Sequence, residues 1–234
     1  MSGKKRTFIT DLILVLAFCA VFAVSFYPKT SIPIYGGKAV GAVYNGNRES
    51  NNVSLMFNVY ENADIVRSIV KTLNECGARA TFFVGGCWAD DNGEILNEII
   101  AAGHEIGNHG YFHKDHAKLD YEKNKEEITL TGKIVEALCG VKPSLFAPPS
   151  GSFSQNTLEA AYDCGYKVVM WSKDTIDWRD KSKSKVVSRA TKGVVGGDLI
   201  LMHPKSHTLA ALPEILDFYN DVGLNVVTVS ENIA

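Results

Sequence analysis

Residues 53–84 read VSLMFNVYENADIVRSIVKTLNECGARATFFV, and this stretch decides the fold class. An apolar run at Val53–Tyr60 gives way to apolar residues at helical spacing (Ile65, Ile69, Val70, Leu73), and a second apolar run follows at Ala80–Val84. Short apolar runs are strands covered on both faces, whereas i, i+4 spacing marks one face of a helix. Gly77 stands where the helix must stop, in position for a left-handed C-cap. Strand, helix and strand joined this way make a parallel unit with a right-handed crossover.

The pattern repeats to the C-terminus. Apolar runs recur at Glu105–Asn108, Leu145–Ala147, Lys167–Trp171, Leu199–Met202 and Asn225–Val229, with helical periodicity between them, as at Ile95, Ile99 and Ile100. Gly103, Gly140, Gly165 and Gly223 end further helices. About seven such units predict an α/β domain over residues 52–234, a distorted, closed or nearly closed (β/α) barrel. An open doubly wound sheet is the alternative, weakened because no GxGxxG or Walker loop follows the first strand.

Upstream, residues 28–51 are rich in Gly, Pro, Asn and Ser and read as a linker, with a leading strand at Ala39–Tyr44 and a turn at Asn45-Gly46. Residues 1–27 form a basic tip (Lys4, Lys5, Arg6) followed by an apolar stretch from Leu12 to Phe26. The stretch is short for a spanning helix unless Phe8 and Ile9 extend it. A cleaved signal peptide and an uncleaved signal anchor compete. Bulky Phe22, Val24 and Phe26 around the small residues favour the anchor. Either places the domain outside the cell, at the membrane in the anchored form.

Hydrophobic residues make up 46% of the 234-residue chain and charged residues 21%, a globular composition. A formal net charge of −2, without a basic patch of interleaved aromatics, argues against nucleic acid or an acidic surface as partner. The five cysteines show no CxxC or zinc-knuckle spacing. Cys76, Cys139 and Cys164, beside glycines at helix ends, read as small buried thiols.

In β/α folds reactive side chains gather where strands end. The strand ends here read NVYE at 58–61, NHGYFH at 108–113, FAPPSGSF at 146–153, WSKDTIDW at 171–178 and LMHP at 201–204. His109 and His113, spaced as HxxxH about one helical turn apart, suit one Zn²⁺-like ion. His203 follows an apolar run, and Asp174 is available to orient its ring as a general acid. Asp177 reads as a turn cap, His104 as a packing or capping residue, and His116 and His207 as surface residues. Trp171 and Trp178 pack in the core or stack on sugar.

NHGYFH, PPSG, DTIDW and LMHP, in this order and spacing, resemble the polysaccharide deacetylase (NodB homology) family, carbohydrate esterase family 4, from about Val53 to the C-terminus. The resemblance implies a distorted barrel, a divalent metal that is usually zinc, and removal of acetyl groups from N-acetylglucosamine-type polymers such as chitin or peptidoglycan. The wording of FAPPSGSF is similar to sporulation-associated members from Gram-positive bacteria. Carried over by position, His109 and His113 hold the metal, His203 is the general acid and Asp174 orients it. The Ser150 N–H, next to Pro149, faces the oxyanion, Leu201 lines the acetyl pocket and Trp178 meets substrate.

The same resemblance exposes departures. Where the family has an Asp-Asp pair, the base and a metal ligand, this chain has Asn58 and Val59; where it has an Arg before Pro-Pro, this chain has Ala147. An amide takes no proton at neutral pH, and an Arg left beside it would be an unpaired buried charge. Glu61 and Asp64, on the same loop, are the carboxylates placed to compensate; otherwise they are a solvated loop residue and a helix-starting acid. Two functions stay open: a metal-dependent deacetylase of cell-wall or spore-cortex glycan, and a weak or inactive relative that binds glycan or partner proteins at the cell surface.

Overall fold

The computed structural model describes residues 34–35 and 38–234; the apolar stretch Leu12–Phe26 and the start of the linker lie outside them. Among the described residues no helix is long and apolar enough to cross a membrane. In chain order the elements are β1 (Ile34–Tyr35), β2 (Lys38–Ala39), β3 (Ala42–Val43), β4 (Asn52–Val59), α1 (Ala63–Glu75), β5 (Thr81–Val84), α2 (Gly86–Asp91), α3 (Gly93–Ala101), β6 (Glu105–Asn108), α4 (Tyr121–Cys139), β7 (Leu145–Phe146), α5 (Gln155–Asp163), β8 (Lys167–Val169), β9 (Lys173–Asp174), α6 (Lys183–Thr191), β10 (Leu199–Met202), α7 (Ser206–Asp221), β11 (Asn225–Val226) and α8 (Val229–Asn232).

The main sheet runs β3-β8-β7-β6-β5-β4-β10-β9, with β11 added beside the start of β4, and every pairing in it is parallel. β1 and β2 form a separate antiparallel ribbon. The expected leading strand is therefore divided: its first residue belongs to β2, and Ala42–Val43 joins β8. β9, only two residues long, lies inside WSKDTIDW, where nothing in its composition announces a strand.

Strand β4 shows how one sequence pattern builds two layers. Val53, Leu55, Phe57 and Val59 enter a large outer core with Val66, Ile69 and Leu73 of α1 and Leu212 and Ile215 of α7. Met56, on the opposite face, meets Phe83, Leu145, Ala147, Val169 and Leu199 in a second cluster. Those residues come from strands far apart along the sheet order, so the sheet must curl for them to touch. This excludes the open doubly wound alternative. The curl is a distorted barrel, and no ladder joins β3 to β9 among the described residues. Asn58 shares the inward face of β4 with Met56, which delivers its amide to the barrel mouth.

All five helix-ending glycines, Gly77, Gly103, Gly140, Gly165 and Gly223, take positive φ as their positions demand. The buried-thiol reading fails: Cys76 is exposed, Cys139 and Cys164 are half-buried, and none is oxidised among the described residues. These cysteines occupy the last turns of helices, where the reversing chain turns out to solvent.

Candidate functional site

At the C-terminal ends of the strands the curl opens into a cleft of about 290 Å³, lined by Asn58, Tyr60, His109, His113, Ser150, Trp171, Asp174, Trp178, Leu201 and His203. The ends of β4, β6, β7, β8, β9 and β10, with the loops after them, supply these residues, which explains why none of the sequence motifs is informative alone.

His109 follows β6 directly and is 1% exposed. Its Nδ1 lies 2.7 Å from the Ala147 carbonyl oxygen, which can only accept, so Nδ1 carries the proton and Nε2 keeps its lone pair. That Nε2 is buried without a partner. Burial, reinforced by neighbouring His113, pushes the His109 pKa down from 6.5 to about 3, and burial lowers His113 as well. The two rings stand 5.1 Å apart between centroids, and Tyr60 lies 4.3 Å from the His113 ring. No helix makes this approach: Gly110 at φ 73° and His113 at φ 54° turn the loop instead.

Sequence reading missed what holds that loop. Glu127 of α4 has a side chain 3% exposed; its Oε2 accepts the Tyr111 and Phe112 N–H groups at 2.9 and 2.8 Å, and its Oε1 meets Lys114 Nζ at 2.8 Å. Asn108 Oδ1 accepts the Gly110 N–H. His116 is not a surface residue: it is fully buried, with Nδ1 2.7 Å from Asn124 Oδ1. Its Nε2 would lie 2.8 Å from a Cβ at Gly110, so the loop packs too tightly there for any other residue. Asn124, Glu127 and Thr131 are buried polar residues at helical spacing on α4, the one signal that could have shown this support.

His203 directly follows β10 and is 8% exposed. The structure replaces Asp174 with Asp177 as its partner. Asp177 Oδ1 lies 2.7 Å from His203 Nδ1, and Asp177 Oδ2 accepts the His203 backbone N–H and the Thr208 hydroxyl, each at 2.7 Å. Burial raises the Asp177 pKa, but the hydrogen bonds from His203 and Thr208 outweigh it and hold the carboxyl below the usual range. Asp177 is thus no turn cap. Its backbone oxygen also takes the half-buried His207 Nε2, at 2.8 Å. Asp174 lines the cleft instead, with Oδ1 accepting the Ile176 N–H. A left-handed bend at Ile176, φ 53°, selects between the two carboxylates, and nothing in DTIDW marks it.

The adjoining end of β4 and the residue after β7 are neutral. Asn58 is 2% exposed and its Oδ1 has no partner. Val59 and Ala147 are fully buried in apolar clusters. Neither expected compensating carboxylate reaches the cleft. Glu61 ion-pairs with Lys205, which turns it aside, and Asp64 lies exposed in the first turn of α1, where the helix dipole favours an acid.

Of the remaining expected residues, Ser150 lines the cleft at φ 55°, in the turn Pro149–Gly151. Leu201 forms its floor, and Trp178, 53% exposed, forms its rim. Pro149 does not line the cleft; it packs beneath the histidine loop, near Gly110. His104 packs as expected, with Nδ1 accepting the Ala80 N–H and the ring against Phe82.

Two imidazoles and an orphaned amide oxygen are donors a divalent cation accepts, and the His109 tautomer is the one a ligand needs. The set lacks any carboxylate: among the described residues no group of three or more His, Cys, Asp or Glu converges on a metal position. The fit is therefore partial, a weak and uncharged cage.

Residues 45–169 match the family model for polysaccharide deacetylase. The chain is 35% identical over 189 residues to the uncharacterized protein YlxY of Bacillus subtilis, covering 81% of this chain and spanning only 59% of that relative's length. It is 33% identical over 169 residues to a peptidoglycan-N-acetylglucosamine deacetylase of Bacillus cereus, covering 70% of this chain and 79% of the relative. Among solved structures, a CE4 family pseudoenzyme from Bacillus anthracis superimposes with a TM-score of 0.81 at 29% identity, over 85% of this chain and 70% of that one. A mutant of that pseudoenzyme has restored enzymatic activity. Cleft, motifs and comparisons agree: the chain belongs to the polysaccharide deacetylase family, with the NodB-type fold of carbohydrate esterase family 4.

Proposed function

We propose that the cleft binds N-acetylated cell-wall glycan of the peptidoglycan or spore-cortex type and hydrolyses its N-acetyl groups, slowly by the standard of the family. The observation that carries this reading is the convergence of His109, His113 and the Asp177-held His203 on one cleft with Ser150, Leu201 and Trp178. Leu201 and Trp171 offer an apolar seat for an acetyl methyl. The Ser150 N–H is the donor placed for the acetyl oxygen as it gains charge. His203, once protonated, donates to the departing amine nitrogen; Asp177 holds the ring in the orientation for that step and is a positioning residue.

Deacetylases of this family are generally metal-dependent. Zinc, held by His109 and His113, is the ion we assign to this chain, and when bound it would supply Lewis-acid polarisation of the acetyl carbonyl. With Asn58 in the base position, deprotonation of the attacking water loses its carboxylate, a factor of about 10²–10⁴ in rate.

A second reading, glycan binding without turnover, is favoured by one observation: a neutral Asn58, a buried Val59 and a buried Ala147 stand together where a base, a ligand and an Arg would stand. Metal analysis of the purified chain with acetate release from N-acetylglucosamine oligomers separates the two. Retained zinc with slow release that His113→Ala abolishes supports hydrolysis; glycan binding with no release supports the second reading.

We also place the domain outside the cell, tethered by the apolar stretch Leu12–Phe26 behind its basic tip, a reading supported by the order of charges and apolar residues in the sequence. Protease accessibility of the domain on intact cells, with and without the first 27 residues, tests it.

A further inference from the structure

The buried polar atoms of the cleft lining that lack a partner are acceptors. Asn58 Oδ1 and His109 Nε2 belong to side chains on residues 2% and 1% exposed, and neither has a hydrogen-bond partner. The Ala147 carbonyl fixes His109 Nε2 as a lone-pair nitrogen, and the Asp177 carboxylate leaves Nε2 as the lone-pair nitrogen of neutral His203. Asp174 contributes the one carboxylate on the lining, with one oxygen engaged by the Ile176 N–H. No Lys or Arg lines the cleft, and Lys205, which follows His203 by two residues, is taken by Glu61. Three aromatic rings, Tyr60, Trp171 and Trp178, complete the walls.

Such a lining is complementary to a cation that can donate hydrogen bonds. A divalent metal fits it only in part, because neutral donors leave its second charge uncompensated and no third strong ligand converges among the described residues. A primary ammonium fits better. It carries one charge, which Asp174 matches, and three N–H donors for the acceptors that otherwise stay unpaired. Aromatic walls suit both the face of a pyranose ring and the cation on it.

We propose that the cleft takes the 2-ammonium group of a glucosamine residue in a glycan strand, so that the chain retains deacetylated glycan. This rests on the glycan reading of the cleft given above. For a slow hydrolase the consequence is a product held in the site; for a chain without turnover it is recognition of strands that other enzymes have already deacetylated.

The test is calorimetric titration of the full chain, in chelator, with three β-1,4-linked oligosaccharides of equal length that differ only at C2: glucosamine, N-acetylglucosamine and glucose. The glucosamine oligomer is expected to bind about tenfold or more tighter than the glucose oligomer, the worth of a charge-assisted hydrogen bond. Asp174→Asn and Asn58→Leu should each remove that preference. Glu159→Gln, which deletes a half-buried carboxylate on α5 outside the cleft lining, should preserve it and so separates site binding from attraction of a polycation to an acidic protein. Zinc should compete with the glucosamine oligomer, since both cations need the same acceptors.

Equal affinity for the amino and hydroxyl oligomers overturns the proposal, as does a preference that survives both cleft variants or zinc and amine binding independently. Tight binding of the N-acetylglucosamine oligomer alone overturns it while leaving the glycan reading intact. Failure of all three oligomers to bind overturns both.

Discussion

The two sides of the cleft differ in kind. On one, His203, Asp177 and Thr208 form a closed chain of hydrogen bonds in which every buried polar atom of the carboxylate has a donor. On the other, Asn58 Oδ1 and His109 Nε2 are buried and unpaired beside apolar Val59 and Ala147. A buried polar group without a partner costs about 1–3 kcal/mol, so the second side carries a deficit that a donor entering the cleft relieves. In the proposed hydrolysis the satisfied side delivers the proton from a ring already held in place, and the unsatisfied side offers its acceptors to what binds.

The first way to break this contrast is to damage the satisfied side. Asp177→Asn places an amide N–H₂ against donors and leaves His203 without its orienting charge. Any residual acetate release should fall by about 10²–10⁴, and the alkaline limb of its pH–rate profile should move. An unchanged profile would remove Asp177 from the proton-transfer side. A smaller change targets the support under the unsatisfied side. Glu127→Ala strips the acceptor from the Tyr111 and Phe112 N–H groups and should cost about 3 kcal/mol in denaturant stability. Glu127→Gln, which keeps an acceptor oxygen, should cost less; equal losses would show that charge alone matters there.

Protonation sharpens the comparison further. The folded pKa of His109 is about 3 and of His104 about 4, both below the 6.5 of an unfolded histidine. The unfolded chain therefore binds protons first, so stability is full above about pH 6.5 and declines as pH falls toward 4 and then 3. Asp177, also depressed, acts in the same direction: its contribution is present above the unfolded carboxyl pKa and is lost as pH falls through the folded one. Urea midpoints between pH 7 and pH 4.5 should fall steadily, and a flat series would mean these rings are not held neutral by burial. The smallest effect is at the rim. Trp178→Ala should weaken glycan binding by about 1 kcal/mol, about fivefold, with little change in fold stability because the ring is 53% exposed.

Much of this architecture was legible in the sequence because it depends on periodicity. The alternation along β4 and the i, i+4 face of α1 report burial, and burial follows residue type. The strand ends then located Asn58, His109, His113, Ser150, Leu201 and His203 on one rim. What stayed hidden depends on single torsions or on contacts remote in sequence. Asp174 and Asp177 are chemically identical, and only the left-handed bend at Ile176 decides which reaches His203. Glu61 stands three residues beyond the Asn58 position, but its pairing with Lys205, far along the chain, turns it away. His116 reads as a loop histidine until the fold buries it against Phe146 and beneath Gly110.

The asymmetry of the two walls is tested most directly by giving the unsatisfied side its missing charges. The triple variant Asn58→Asp, Val59→Asp and Ala147→Arg, confirmed as folded by its thermal transition, should release acetate from N-acetylglucosamine oligomers with zinc at least about 100-fold faster than the native chain, because His203 and Asp177 are already in place. A folded triple variant that binds zinc but hydrolyses no faster than the native chain would contradict the account.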